Sequence, residues 1–272
     1  MINLKEAVFQ RKSVRSFDGN LLSEDHKSLV VNYIRQEQNK FGPFGNKVGI
    51  TFQEEDQLRP KEKIGTYGFI KNAPIYLIGI CKNDTESLLD MGFAFEKIVL
   101  YLQTQGIGSC WVGGTFNRKK LKLKHAMKQD EFIPVISPIG YQASKMHFVD
   151  KVVRKMAKSD NRMNFDQLFF YQDFTAKIDS DSVREMLEYV RVAPSASNKQ
   201  PWRIVMDQNG DAHFFIERTP KYGHALGYDI QMIDMGIALF HYVLASGKDH
   251  VFQKEIWMDM PNENTSYLFS VK

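Results

Sequence analysis

The sequence predicts an α+β fold: two related halves built around a pair of central buried helices, with mixed or antiparallel sheets flanking them. Three observations carry that reading. First, Asp90-Met91-Gly92-Phe93-Ala94 recurs 144 residues later as Asp234-Met235-Gly236-Ile237-Ala238, an internal repeat of the kind that marks a duplicated unit. Second, each copy opens a nearly all-apolar stretch, Phe95 to Leu102 and Leu239 to Ala245, and a helix that is apolar all round is a buried one. Third, each copy is preceded by the same series: an amphipathic helix, a turn-rich loop and extended apolar segments.

A short helix is expected over Leu4 to Gln10, followed by the basic segment Arg11-Lys12-Ser13-Val14-Arg15-Ser16-Phe17. Leu22-Ser23-Glu24-Asp25 carries capping residues and starts a helix running to about Gln36. The turn Gly42-Pro43-Phe44-Gly45-Asn46 leads into a strand over Val48 to Phe52. Ile75 to Ile80 reads as a second strand, and Ile133 to Gly140 as a third. In the other half, Ile178-Asp179-Ser180-Asp181 starts a helix to about Val192. A loop over Ala193 to Asn198 follows, then strands over Arg203 to Met206, His213 to Ile216 and Ser266 to Val271. Asp90 and Asp234 are expected at the starts of the buried helices, where an acidic side chain suits the N-terminal dipole. Gly106 and Gly247 are expected at their ends. The halves are read as residues 1–150 and 178–272, joined by the polar segment 151–177. They form one cooperative unit, because each buried helix needs the other as a wall.

Bulk properties bound the function. The 272 residues carry a formal net charge of +4, with basic and acidic residues interspersed. The densest basic run, Arg118 to His125, reads as a solvated helix face, so no nucleic-acid partner is expected. No stretch reaches the ~18 apolar residues of a membrane span, and the first residues lack a signal-peptide pattern. The two cysteines, Cys81 and Cys110, have no ligand spacing, which points to a reducing, cytoplasmic setting. No metal site is expected. The seven histidines are scattered, and His241, inside the second buried helix, reads as a satisfied core histidine.

Three segments carry candidate chemistry. In an extended Arg11-Lys12-Ser13-Val14-Arg15, alternate side chains share one face, so two guanidinium forks and a hydroxyl converge. That set suits a phosphate, although an ordinary basic loop has the same composition. In Ala193-Pro194-Ser195-Ala196-Ser197-Asn198-Lys199-Gln200-Pro201-Trp202, two prolines stiffen a loop of small residues that a planar ring could approach. Ser195, Ser197 and Asn198 offer polar atoms to a ligand edge, whereas a capped turn with Trp202 as core filler is the plainer alternative. Gly106-Ile107-Gly108-Ser109-Cys110-Trp111-Val112-Gly113-Gly114 lets backbone N–H groups come close to a ligand. It follows a helix where a dinucleotide fingerprint would open one, which excludes a Rossmann reading.

Together, Arg-x-Ser-x-Arg-x-Phe, Ala-Pro-Ser-x-x-Asn-x-Gln-Pro-Trp, the Asp-x-Gly buried helix, Gly-x-Gly-Ser-Cys-Trp and Gly140-Tyr141 resemble the nitroreductase family of FMN-dependent oxidoreductases. The likeness spans most of the chain. In ordinary members, two identical subunits supply the arginine segment and the Pro-Ser-x-x-Asn loop to each site. Here the arginine segment lies only in the first half and the loop only in the second. The chain therefore resembles the branch in which one chain imitates the usual dimer, with one complete FMN site and a degenerate mirror site.

The resemblance implies a nitroreductase-like fold and cofactor contacts from Arg11, Lys12, Ser13, Arg15, Pro194, Ser195, Ala196, Ser197 and Asn198. Backbone N–H groups of Gly113 and Gly114 would face the flavin N5 and O4 edge. Arg154 and Lys155, with Arg162 as a competitor, would complete the phosphate grip. It further implies NADH or NADPH as electron donor, ping-pong hydride transfer through flavin N5, and a small acceptor such as a nitroaromatic, quinone or enone. No side chain is singled out as catalytic. Gly42 to Lys63 and Thr219 to Ile230 are the expected channel segments; Phe41, Phe44, Tyr67 and Tyr222 are candidate aromatic walls, with core or surface packing the plainer role for each. The expected particle is a monomer. Alternative activities on the same scaffold are an FMN-binding sensor or storage module without nicotinamide turnover, and a flavin-consuming or dehalogenating enzyme.

Overall fold

The computed structural model describes residues 2–54, 69–119, 121, 127–144, 161–255 and 258–272. Helix α1 (Leu4–Gln10) opens on a capping box: Glu6 N–H donates to the Asn3 side chain, and Asn3 N–H donates to the Glu6 carboxylate. It closes where Arg11 turns extended. Ser23 caps α2 (Glu24–Arg35), and Ser180 caps α4 (Asp181–Arg191). Between those two lies α3 (Thr85–Thr104), and α5 (Ile230–Ser246) completes the helices longer than one turn among the described residues.

One five-stranded sheet has the order β1 (Gly49–Glu54), β2 (Ile75–Lys82), β5 (Ile136–Gly140), β3 (Gly108–Ser109), with β4 (Glu131–Phe132) paired to β2. All its pairings are antiparallel. The other runs β6 (Phe169–Tyr171), β7 (Trp202–Met206), β8 (Ala212–Glu217), β10 (Thr265–Val271), β9 (Val251–Phe252). It is mixed, because β6 lies parallel to β7. The α+β composition with mixed and antiparallel sheets is as expected. Two series of elements run in the same order: α2, a loop, the antiparallel pair β1–β2 and α3, then α4, a loop, the antiparallel pair β7–β8 and α5. Strand β6 lies within the stretch read as a connector, but it extends the second sheet.

The two buried helices meet at the repeated glycines. A Cβ on Gly92 would sit 2.2 Å from the Ile233 carbonyl oxygen, and one on Gly236 would sit 2.0 Å from the Leu89 carbonyl oxygen. Only glycine lets the two backbones approach this closely. Around the crossing runs one apolar core that includes Leu77, Phe95 and Ile98 from the first series and Leu187, Phe214 and Leu239 from the second.

Both buried helices start four or more residues before the aspartates expected there. Helix α3 begins at Thr85 with Asp84 as cap, which accepts from Ser87 N–H at 2.9 Å. Asp229 caps α5, accepting from Gln231 N–H at 3.1 Å. Asp90 and Asp234 lie inside their helices and are buried, so the helix dipole does not explain them. Each instead holds the loop that precedes its strand pair. The strand expected over Ile133 to Gly140 begins only at Ile136. Pro134 lacks an N–H, and Val135 uses its carbonyl to accept from Gly79 N–H at 3.0 Å. No described helix is long and apolar enough to cross a membrane.

Candidate active site

A cleft of about 340 Å³ opens where the two series meet, within the usual size range of small-molecule sites. Arg11, Lys12, Ser13 and Arg15 line it from one side, with Pro194, Ser195, Ala196, Ser197 and Asn198 opposite. The extended geometry after α1 produces the first wall: Arg11, Ser13 and Arg15 are half-buried while Val14 between them is buried. Val14 N–H donates to the Ser109 carbonyl at 2.8 Å, which ties this segment to β3. Gly113 lines the cleft, whereas Gly114 is not among the lining residues. Arg162 is a lining residue, while Arg154 and Lys155 fall outside the described residues.

The second wall is a strained and heavily braced loop. Ser197, Asn198 and Gln200 adopt left-handed backbone angles (φ 50°, 56° and 48°), conformations that cost energy in non-glycine residues and persist only where surroundings hold them. The bracing is explicit. Gln200 N–H donates to Ser195 Oγ at 2.9 Å, and Gln200 Oε1 accepts from Met163 N–H at 2.9 Å. Tyr222 O–H donates to Ser197 Oγ at 2.9 Å, and Arg162 Nη1 donates to Asn198 Oδ1 at 3.0 Å. Asn198 Nδ2 donates to the Asn161 carbonyl at 2.6 Å. The three polar side chains expected at a ligand edge are thus engaged within the protein, where they hold the loop's shape.

Gly113 is also positioned from outside. Its carbonyl accepts from Tyr228 O–H at 2.8 Å and from Arg118 Nη2. Tyr228 O–H also reaches the Pro134 carbonyl at 2.9 Å. Burial pushes the Tyr228 phenol up, opposed by Arg118, so it remains a neutral donor. Arg118, read from sequence as part of a solvated basic run, is a structural residue of this site.

Under the cleft lies a polar cluster in which His241 is a satisfied core histidine, as expected, with partners that no sequence spacing reports. Glu96, fully buried on α3, accepts from Trp111 Nε1 at 2.7 Å and faces His241 Nε2 on α5 at 3.0 Å. His241 Nδ1 lies 2.8 Å from the Tyr189 carbonyl, which can only accept, so that nitrogen carries a hydrogen. Arg11 Nε lies 4.0 Å from Glu96 Oε1, and the Arg11 side chain is only 6% exposed. Its Nη1 is buried and has no hydrogen-bond partner within the protein.

Two of the candidate aromatic walls take the plainer role of core or surface packing. Phe44 packs edge-on against Phe269 in the core, at 5.3 Å, and Phe41 is exposed. Neither lines the cleft, and Tyr67 falls outside the described residues. Phe9 and Trp111 line it instead. At the mirror position, Asp90 is saturated by its own loop: Oδ1 accepts from Phe44 N–H at 2.9 Å, and Oδ2 from Asn46 N–H at 2.8 Å and Asn46 Nδ2 at 3.1 Å. A side chain at Gly42 would collide with that carboxylate. Burial still pushes the Asp90 carboxyl up against these donors.

The molecule is a two-series α+β chain with a basic cleft lined by residues of both series and by one buried helix, α5. The chain belongs to the nitroreductase family, since the family model described as "Putative TM nitroreductase" matches residues 3–246. Among solved structures it is similar to a "putative nitroreductase" from Thermotoga maritima MSB8, with 20% identity and a TM-score of 0.61, covering 99% of this chain and 93% of that one. A nitroreductase family protein from Clostridium novyi NT shares 20% identity at a TM-score of 0.42, covering 53% of this chain and 87% of that one. An FMN-dependent nitroreductase from Clostridium difficile R20291 shares 17% identity at a TM-score of 0.38, covering 52% and 88%. No curated protein matches the chain.

Proposed function

We propose that the cleft binds one FMN per chain and that the protein is an NAD(P)H-dependent flavin oxidoreductase acting on a small organic acceptor. The observation that carries the reading is Arg11. Its guanidinium is buried at the cleft with Nη1 unpartnered, beside Ser13 and Arg15 on the same wall. Glu96 approaches only Nε, at 4.0 Å, so the buried Nη1 hydrogens stay unmatched, which is costly unless a further acceptor reaches them, and a phosphate is the acceptor this donor set suits. Arg162 supplies a further cation from the opposite side.

The residues present fit FMN. Arg11, Lys12, Ser13, Arg15 and Arg162 would hold the phosphate end, and Phe9 and Trp111 offer aromatic surface. The Pro194–Asn198 loop and Gly113 would bound the ring. The bound flavin would supply the redox chemistry, taking electrons from NADH or NADPH and passing them to a nitroaromatic, quinone or enone. The protein's share is to grip the phosphate end, orient the ring and keep Gly113 fixed through Tyr228 and Arg118. Residues 1–150 and 178–272 act as one pseudo-dimeric unit, so the particle is a monomer. The mirror position lacks the arginine segment, and its aspartate is filled by its own loop. Both cysteines are free and buried, which suits a cytoplasmic setting.

The test is anaerobic addition of NADH and of NADPH to the FMN-loaded protein. Bleaching of the flavin band by at least one of them, and its return with a quinone, is the expected result. A bound flavin that neither nicotinamide bleaches would overturn the oxidoreductase reading.

A further inference from the structure

The repeat contains its own control. Asp90 and Asp234 hold equivalent places, two residues before the crossing glycines, and each grips the loop preceding its strand pair. Asp90 has both carboxyl oxygens occupied by that loop. Asp234 has only one: Oδ1 accepts from Ala196 N–H at 2.8 Å, while Oδ2 is buried with no hydrogen-bond partner. Asp234 is among the residues lining the cleft, and Asp90 is not. The polar side chains of the neighbouring loop, Ser195, Ser197 and Asn198, are already engaged within the protein. Asp234 is therefore a cleft-lining residue with one buried carboxyl oxygen that the protein leaves without a partner.

We propose that Asp234 is a ligand-recognition residue whose carboxyl, held at Oδ1 by Ala196, donates a hydrogen bond through Oδ2 to an acceptor atom on a planar heteroaromatic ring in the cleft. This rests on the reading that the cleft takes such a ring, as FMN has. A buried carboxylate with one N–H donor is poorly compensated. Burial pushes the Asp234 carboxyl well above the ordinary carboxylate range, opposed by Ala196 N–H and reinforced by Asp229. Tyr222 and Tyr228, from the segment before α5, also face its field and bring no positive charge. The cations at the cleft are Arg11, Lys12, Arg15 and Arg162, which the cofactor reading commits to a phosphate. In the protonated state Oδ2 carries a hydrogen, and a ring nitrogen or carbonyl oxygen satisfies it. A site built around a fixed donor rejects analogues that present a donor of their own at that position.

The experiment is infrared difference spectroscopy on the full chain as FMN is added, with FMN affinity measured for Asp234→Asn and Asp234→Leu. The expected result is a protonated-carboxyl carbonyl band that is absent in Asp234→Asn and that shifts when FMN binds to the wild type. Asp234→Leu should weaken FMN roughly tenfold, and Asp234→Asn, which keeps an acceptor for Ala196 and a donor for the ring, should recover most of that loss. If Asp234→Leu fails to fold, the infrared band of the wild type decides alone. A wild type that binds FMN while the band is missing or unmoved overturns this inference and leaves the cofactor reading intact. A wild type that takes up no FMN overturns both.

Discussion

Replacing Arg11 and Arg15 together with alanine abolishes FMN retention. Each guanidinium contributes charge-assisted hydrogen bonds to a phosphate, at about 1.5–3 kcal/mol per bond. Losing one contact from each arginine predicts a loss of roughly 10²- to 10⁴-fold in affinity. Arg11 should account for the larger share. Its side chain is only 6% exposed, over the buried Glu96, so its charge is held in place before the ligand arrives and little side-chain entropy is lost on binding. Arg184→Ala is the control. Arg184 pairs with Asp166 and lies over the Phe165 ring, away from the cleft, and its loss should leave FMN binding unchanged. Equilibrium dialysis or flavin-fluorescence quenching measures both. If the double variant kept about half its flavin, a second site would exist, and the pairing of one arginine segment with one loop would be wrong.

Replacing Gly236 with alanine separates the two buried helices. The added Cβ would lie 2.0 Å from the Leu89 carbonyl oxygen and 3.0 Å from Phe93 N. Both are backbone atoms of a buried helix, so no side chain can swing aside. Overpacking of this kind costs about 3 kcal/mol or more, which lowers the melting temperature by roughly 6–12 °C in a chain of this size. Gly92→Ala should behave alike, because its Cβ meets the Ile233 carbonyl at 2.2 Å. Gly247→Ala offers contrast: nothing lies within 4 Å of its Cβ, and only its φ of +73° opposes the change, at a cost of about 1–2 kcal/mol. Calorimetry compares the three. Equal losses at Gly236 and Gly247 would contradict the account of the helix crossing.

Much of this was legible in the sequence because local chemistry and tertiary role coincide. Asp-Met-Gly recurs because both copies need glycine where the helices cross, so the repeat revealed the central pair directly. Arg11, Ser13 and Arg15 alternate in an extended segment, so their shared face could be read from period two. The Pro194–Asn198 loop announced itself through two prolines and small residues. What escaped depends on contacts between distant parts of the chain. Asp90 and Asp234 read as helix starts in the sequence, because an acidic residue before an apolar run is the usual N-terminal signal. Asp84 and Asp229 compete for that role locally, and only the fold shows that they win. Trp111 and Glu96 meet through a hydrogen bond across the core, and Arg118 reaches Gly113 from within a run whose spacing looked solvated. Phe44, expected at a channel wall, is drawn into the core by Phe269, nearly the whole chain away. No spacing rule reports such partnerships.

On the proposed reading the chain builds one flavin site by itself. Size-exclusion chromatography with light scattering and simultaneous absorbance, run on the FMN-saturated protein, tests it most directly. The expected result is a particle of 31.5 kDa carrying about one FMN. Two FMN per chain, or flavin confined to particles of about twice that mass, would contradict it.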